Sequence, residues 1–408
     1  MLVLYFILLW MPYSLQLGIF EVAGATFTLY IVGVFMLLPI AIYRYVYRNI
    51  SNAYHLIDLS LLFLSLIFLL TLLWSTDVAQ DAYKVLHGVV IPVMSYFVIK
   101  NMIQTDVHFK RSLLAFLLGI SIFAVIYVVI SYKSGMSNRV DVLLQDSIAV
   151  GTFTIFSIVL LLGSRLVVSK LKYVMAFVNM VALLATLSRG YLVGLLVSPF
   201  LYFLFKKGKY FYVITSLIFG TLFITVISIE NMEFFKPTSW DPKLENSIER
   251  LYNIDYWKNG IYGRLESFQP SIDIIKENLL LGVGFSKSGV GSTVHNFHFE
   301  WLTYSGVLGY VLFCFIIINQ AFRIDRIRPY DKYLTVFGVV ITAILINGLM
   351  NGVMHGMMPY VLFNLFAFIE VRLALLKNNE NEINNNIDTG NDNKIELGKT
   401  KKVRCELK

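Results

Sequence analysis

Residues 56–74 read "LIDLSLLFLSLIFLLTLLW". Asp58, near the start, is the only charged residue in this run. At about 1.5 Å per residue the run is long enough to cross a hydrocarbon core of ~30 Å as a helix. Residues 112–132, 210–229 and 334–350 repeat the pattern. None shows the alternating segments of about ten residues that build an outer-membrane barrel. The expected class is therefore an all-α integral membrane protein.

Working outward from these runs, the remaining apolar stretches give about twelve transmembrane helices, at 2–20, 22–43, 56–74, 84–100, 112–132, 148–163, 172–187, 190–205, 210–229, 299–319, 333–350 and 357–376. Composition agrees: the chain is 57% hydrophobic and 15% charged, with a mean hydropathy of +0.69, whereas soluble domains sit near a quarter charged. The N-terminal run has no Lys or Arg ahead of it and no small-residue cleavage site, so it reads as a retained first span. Of the two cysteines, Cys314 lies within a span and Cys405 in the tail, and no disulfide is expected.

The distribution of Lys and Arg orients these spans. With the N-terminus in the cytoplasm, the inner loops carry Arg44, Arg48, Lys100, Lys110, Arg111, Arg165, Lys170, Lys172, Lys206, Lys207, Lys209, Arg323, Arg326, Arg328 and Lys332. The short outer loops carry Lys84, Lys133, Arg139 and Arg189. The net charge of +8 is thus mostly topological. Spread over loops in this way, it gives no basis for nucleic-acid binding, which needs basic residues gathered on one face. Residues 1–376 are expected to form one polytopic domain. Residues 377–408, rich in Asn and charge, are expected to form a disordered cytoplasmic tail.

One outer segment is too long for a connector: residues 230–298, a large extracytoplasmic loop. Within it, Leu265, Phe268, Ile272, Ile275 and Leu279 recur at helical spacing, predicting an amphipathic helix with a bend near Pro270. A glycine-rich turn, "LGVGFSKSGVG", follows at 281–291. It lacks the Gly-Lys-Ser/Thr of a phosphate-binding P-loop, so its glycines are assigned to tight turns. The loop ends at 295–300 in "HNFHFE", where two histidines and a glutamate stand at the lip of the next span.

Four outward elements thus carry candidate chemistry. Arg189 lies between two spans, Arg264 opens the amphipathic helix, and His295 and Glu300 sit where the loop re-enters the membrane. Lys287 lies in the glycine-rich turn of the same loop, and Arg139 and His355 lie in neighbouring outer loops. An arginine at a membrane boundary calls for an anionic partner, and its planar fork matches phosphate oxygens. Histidine suits general-base work near neutral pH. Together they fit a membrane-anchored diphosphate and an attacking hydroxyl, a scheme that needs no metal and no cofactor. Each residue also has a plainer reading. Arg189 fits a snorkelling interface arginine, Asn296 beside His295 fits a helix N-cap, and Arg264, Arg139, Lys287 and His355 fit solvated loop residues. His295, His298 and Glu300 do not have the spacing of a zinc site.

Three stretches, "LATLSRG" at 184–190, "YGRLESFQPSIDIIKENLLLGVGFSKSG" at 262–289 and "HNFHFEWLTYSGVLGYVLF" at 295–313, together resemble the O-antigen polymerase and O-antigen ligase superfamily. The resemblance is close over residues 182–313. It implies a GT-C-like, metal-independent glycosyltransferase of the bacterial inner membrane, using a glycan on undecaprenyl diphosphate at the outer leaflet. On this resemblance Arg189 and Arg264 hold the diphosphate and His295 helps to activate the acceptor. Arg139, Lys287, Glu300 and His355 are left as candidate contacts to diphosphate or glycan. A chain-length regulator and a flippase are implied as neighbours. A polymerase extends a lipid-linked repeat unit, whereas a ligase moves the finished chain to lipid A–core or to protein. The polymerase, the more numerous and diverse branch, is the reading adopted. A transporter is the rival from another class, but it calls for ionisable residues at mid-depth, which these spans largely lack.

Overall fold

The computed structural model describes residues 1–13, 18–22, 25–47, 55–75, 77–133, 147–164, 166–167, 169–186, 189–207, 209–230, 265, 268, 270–285, 296–327, 331–351 and 358–388. They are helical apart from connecting turns and one short hairpin. The helices are α1 (Leu2–Trp10), α2 (Leu29–Tyr47), α3 (His55–Thr71), α4 (Val78–Val85), α5 (Ile91–Met102), α6 (Asp106–Lys133) and α7 (Ser147–Gly163). They continue with α8 (Ser169–Ala185), α9 (Arg189–Lys206), α10 (Tyr210–Glu230), a short α11 at 270–277, α12 (Phe297–Ile327), α13 (Lys332–Asn351) and α14 (Met358–Asp388). Among the described residues, 8 helical stretches are long and apolar enough to cross a membrane, and Leu2–Tyr13, Val150–Gly163 and Gly190–Lys206 are shorter apolar helices. The chain is a multi-pass, helical membrane protein.

The first two spans and the tail boundary differ from the sequence reading, the second span, expected at 22–43, being helical only from Leu29 to Tyr47. Residues 2–20 do not form one span: α1 stops at Trp10 and passes into a 3₁₀ turn, Met11–Tyr13. Pro12, which lacks an amide hydrogen, stands in that turn. Strands β1 (Gly18–Val22) and β2 (Ala25–Thr28) then pair antiparallel, with Glu21 opposite Thr26 and Val22 opposite Ala25. Phe20, Val22, Thr26 and Thr28 suit a strand, and only two residues separate the pair, the commonest hairpin length. At the other terminus α14 continues to Asp388, past the tail boundary expected at 377.

Burial separates the centre from the lipid-facing rim. The apolar window of α13 is 83% buried and that of α14 78%, against 17% for α10. α13 packs along α9 and α7, α14 along α5, α12 along α3 and α10, and α1 along α6. The centre is aromatic. Phe109 meets Tyr333, Phe337 and Phe368 at steep ring angles, and Trp301 stacks on Phe313 with centroids 4.2 Å apart.

One end of the bundle is joined by charge. Lys100 Nζ donates to Asp58 Oδ2 at 2.7 Å, and Arg323 Nη1 to Glu370 Oε1 at 2.6 Å. Arg372 Nη2 donates to Asp331 Oδ2 at 2.7 Å and Nη1 to Asp106 Oδ1 at 2.7 Å. Two of these segments also use carboxylates as helix caps. Asp331 Oδ1 accepts from the amides of Tyr333 and Leu334. Asp325 of α12 accepts from the amides of Tyr210 and Phe211, at the amino end of α10. Each carboxylate thereby satisfies amides that a helix start leaves without partners and complements its positive dipole end. Loops that the basic-residue bias assigns to one side meet here.

Candidate functional site

At the opposite end, the contacts among the described residues start at Asn296. Its Oδ1 accepts from the amide of His298 at 2.9 Å and of Phe299 at 3.4 Å, capping α12. Its amide nitrogen donates to Leu349 O, near the end of α13, at 3.4 Å. The cap reading of Asn296 therefore holds, and the same side chain ties α12 to α13. His295 immediately precedes it and lies outside the described residues.

α9 reaches the same place. Arg189 is its first residue, and only its backbone is described. Gly190 lies so close to α13 that a Cβ there would come within 2.5 Å of Asn347 Oδ1. That contact is why a glycine follows the arginine. One residue on, Tyr191 bonds through its hydroxyl to Thr152 of α7 and to Met358 Sδ at the start of α14. The last turns of α13 thus receive both the residue after Arg189 and the residue after His295.

The loop helix docks alongside. Leu265 and Phe268 are buried against Phe299, with Ile229, Ile272 and Ile275 around them. Phe268 and Phe299 stack with centroids 5.1 Å apart. The predicted apolar face is the one that packs, except for Leu279, which is exposed. Arg264, just before Leu265, lies outside the described residues, as do Arg139, Lys287 and His355. Glu300 is described: it is buried in the first turn of α12, where a carboxylate complements the helix's amino end.

His298 is fully buried and cross-links two helices. Its Nε2 lies 2.9 Å from Thr221 Oγ1 of α10. Its Nδ1 lies 2.7 Å from the Tyr310 hydroxyl oxygen. Both ring nitrogens are thus engaged in hydrogen bonds within the protein.

α12 itself is interrupted. Gly306, at φ 63° and ψ −170°, breaks the helix just after its second turn. The freed backbone groups pair with the glycine-rich turn: Val283 and Gly284 amides donate to Thr303 O and Tyr304 O, and Val307 and Leu308 amides donate to Leu279 O and Leu280 O. Irregular backbone at membrane depth survives only where protein or trapped water satisfies it. Gly282 and Gly284 take positive φ in that turn, and a Cβ on Gly306 would fall 2.3 Å from Leu280 O. Phe285 then stacks on Phe68 of α3 and touches Gly88, in the π-helical turn Leu86–Val90 that joins α4 to α5.

Sequence reasoning missed Asn347, Tyr191, Thr221 and Tyr310 as parts of this end. A lone asparagine inside an apolar run was a signal for Asn347. The two hydroxyls that hold His298 carried none.

The class that the fold defines is a polytopic helical membrane protein. Residues 173–314 match the family model described as O-antigen ligase, from α8 to Cys314 in α12. The match supports the O-antigen polymerase/ligase superfamily, whose members are glycosyltransferase-like enzymes acting on lipid-linked glycans. It spans Arg189, Arg264, Lys287, His295 and Glu300 and leaves Arg139 and His355 outside. No curated protein matches the chain.

Proposed function

We infer that the protein is a surface-polysaccharide polymerase that transfers a glycan from undecaprenyl diphosphate to a lipid-linked repeat unit. The observation that supports this reading is the meeting of α9 and the start of α12, both inside the matched region, at the end of α13 beyond it, with Gly190 against Asn347 and Asn296 on Leu349 O. Two sequence neighbours of candidate residues, Arg189 and His295, are thereby drawn to one helix end. On this reading Arg189 and Arg264 hold the diphosphate and His295 takes the proton of the attacking hydroxyl. Arg139, Lys287, Glu300 and His355 are assigned to glycan or diphosphate contacts. Lys and Arg distribution supports an inner-membrane protein with residues 230–298 and the site facing outward, and with a cytoplasmic tail. Twelve spans and a GT-C-like arrangement complete the reading.

A ligase is the second reading, favoured by the description of the matched family. The two differ in acceptor, and a glycan gel of a deletion strain separates them. Collapse of the ladder to a single repeat on the core supports polymerisation. Loss of all surface glycan, with polymer accumulating on its lipid carrier, supports ligation. Topology is tested by a cysteine in place of Ser239 in an otherwise accessible-cysteine-free protein. Labelling of intact cells by an impermeant reagent is expected, and labelling only after the inner membrane is opened would reverse the orientation.

A further inference from the structure

A crevice of about 360 Å³ lies between α2, α3 and α5, walled by Leu38, Ala41, Leu62, Val90, Val93 and Phe97. That volume is within the ~300–1,000 Å³ of small-molecule pockets. Its rim includes Ile42 and Leu62, both about half exposed and continuous with the lipid-facing residues Leu59 and Leu66. It therefore opens sideways into the bilayer, and a hydrocarbon chain is what meets it there.

One end of the crevice is polar. Asn101 lines it and is 4% exposed. Its amide nitrogen donates to Phe97 O at 2.8 Å, while its Oδ1 is buried with no hydrogen-bond partner among the described residues. An orphaned acceptor in such a place calls for a donor from outside the protein. Arg44 stands at the same end. It lies one turn beyond Ala41, and its Nη1 donates to Met102 Sδ at 3.5 Å. Sulfur is a weak acceptor, so the guanidinium's capacity for an anion is largely unspent. Lys100, by contrast, is committed to Asp58. This end belongs to the ion-paired side of the bundle, away from the candidate site.

We propose that this crevice binds a membrane phospholipid whose headgroup carries a hydrogen-bond donor. One acyl chain fills the apolar walls, the phosphate lies on Arg44, and the headgroup donor meets Asn101 Oδ1. The lipid belongs to the leaflet opposite the glycan chemistry and would brace α2 against α3 and α5. The occupant is a bilayer lipid, not the polyprenyl donor, because the anion-binding end lies at the far side from α9 and the start of α12. This inference does not depend on which glycan is transferred.

Native mass spectrometry of the full chain released from detergent tests it, with phosphatidylglycerol, phosphatidylethanolamine, phosphatidylcholine or undecaprenyl phosphate added. Phosphatidylglycerol and phosphatidylethanolamine should be retained at about tenfold lower concentration than phosphatidylcholine, the size of one charge-assisted or buried contact. Arg44→Gln should weaken retention of all three phospholipids by about tenfold, and Asn101→Leu should erase the preference over phosphatidylcholine. Ala41→Phe or Ser65→Leu, which fill the crevice, should remove the bound lipid while the melting midpoint measured without lipid is kept. Retention unchanged in a folded filled variant overturns the proposal. So does equal retention of all three phospholipids, an adventitious additive only, or displacement of phosphatidylglycerol by undecaprenyl phosphate. If neither filled variant folds, Arg44→Gln decides: unchanged retention sinks the site.

Discussion

The two ends of the bundle use polar groups in opposite ways. At the Lys100 end, Lys100, Arg323 and Arg372 are paired with carboxylates across α3, α5, α6, α12, α14 and the residue that caps α13. At the Asn296 end, the described contacts between elements are neutral: an asparagine cap, a histidine between two hydroxyls, and glycines pressed against other helices. Charge inside a membrane protein is costly unless it is partnered. Where charges satisfy one another they serve architecture.

The largest expected effect lies at the neutral end. His295→Ala should lower glycan transfer by about 10²–10⁴-fold, the usual worth of a general base, while lipid-linked donor still binds. An in vitro assay with donor and acceptor, run with and without EDTA, checks this. Full turnover by the variant would remove the base, and activity lost to EDTA and restored by a divalent ion would replace the mechanism.

Next comes a test of the charged end. Arg323 is 15% exposed and Glu370 0%, so solvent screening is slight. Arg323→Met, which strands a buried carboxylate, should destabilise the protein by about 3–5 kcal/mol. Thermal unfolding in detergent reads the loss, and Arg323→Met combined with Glu370→Leu should recover much of it. A single variant as stable as the parent would mean that this end is not held by its ion pairs.

Arg189→Lys and Arg264→Lys keep charge but lose the planar fork. Each should cost ~1.5–3 kcal/mol of transition-state stabilisation, about ten- to a hundredfold in rate, with normal expression. Wild-type kinetics in both would return these residues to the interface and loop readings, and would blur the contrast between the two ends. The smallest effect is expected from Asn296→Ala, which removes a cap worth ~0.5–2 kcal/mol and the tether to Leu349 O. Its mark should be a lowered turnover number with little change in donor KM. A change confined to KM would separate this cap from the placement of His295.

Much of this architecture was legible from the residues alone. Runs such as 56–74 announce spans because a helix satisfies its own backbone in lipid, with no help from the rest of the chain. The 3-4-3-4 spacing from Leu265 marked the face that packs on Phe299, and Asn296 was readable as a cap because capping is local. The hairpin at 18–28 was not legible. Its residues are as apolar as a span, and a short apolar run has no period that separates strand from helix.

The sequence by itself determined the membrane class, most span positions, the turn glycines and the candidate residues, since hydropathy, charge bias and backbone freedom act over a few neighbours. Tertiary structure alone decided that the 279–284 turn pairs with the break at Gly306, and that Gly190 and Asn296 both meet the end of α13. It also decided that His298 is consumed by Thr221 and Tyr310, leaving it no free nitrogen. These are contacts between residues far apart in the chain. Nothing in a local pattern encodes which hydroxyl an imidazole will find across a helix interface, because the packing of the whole bundle sets that distance.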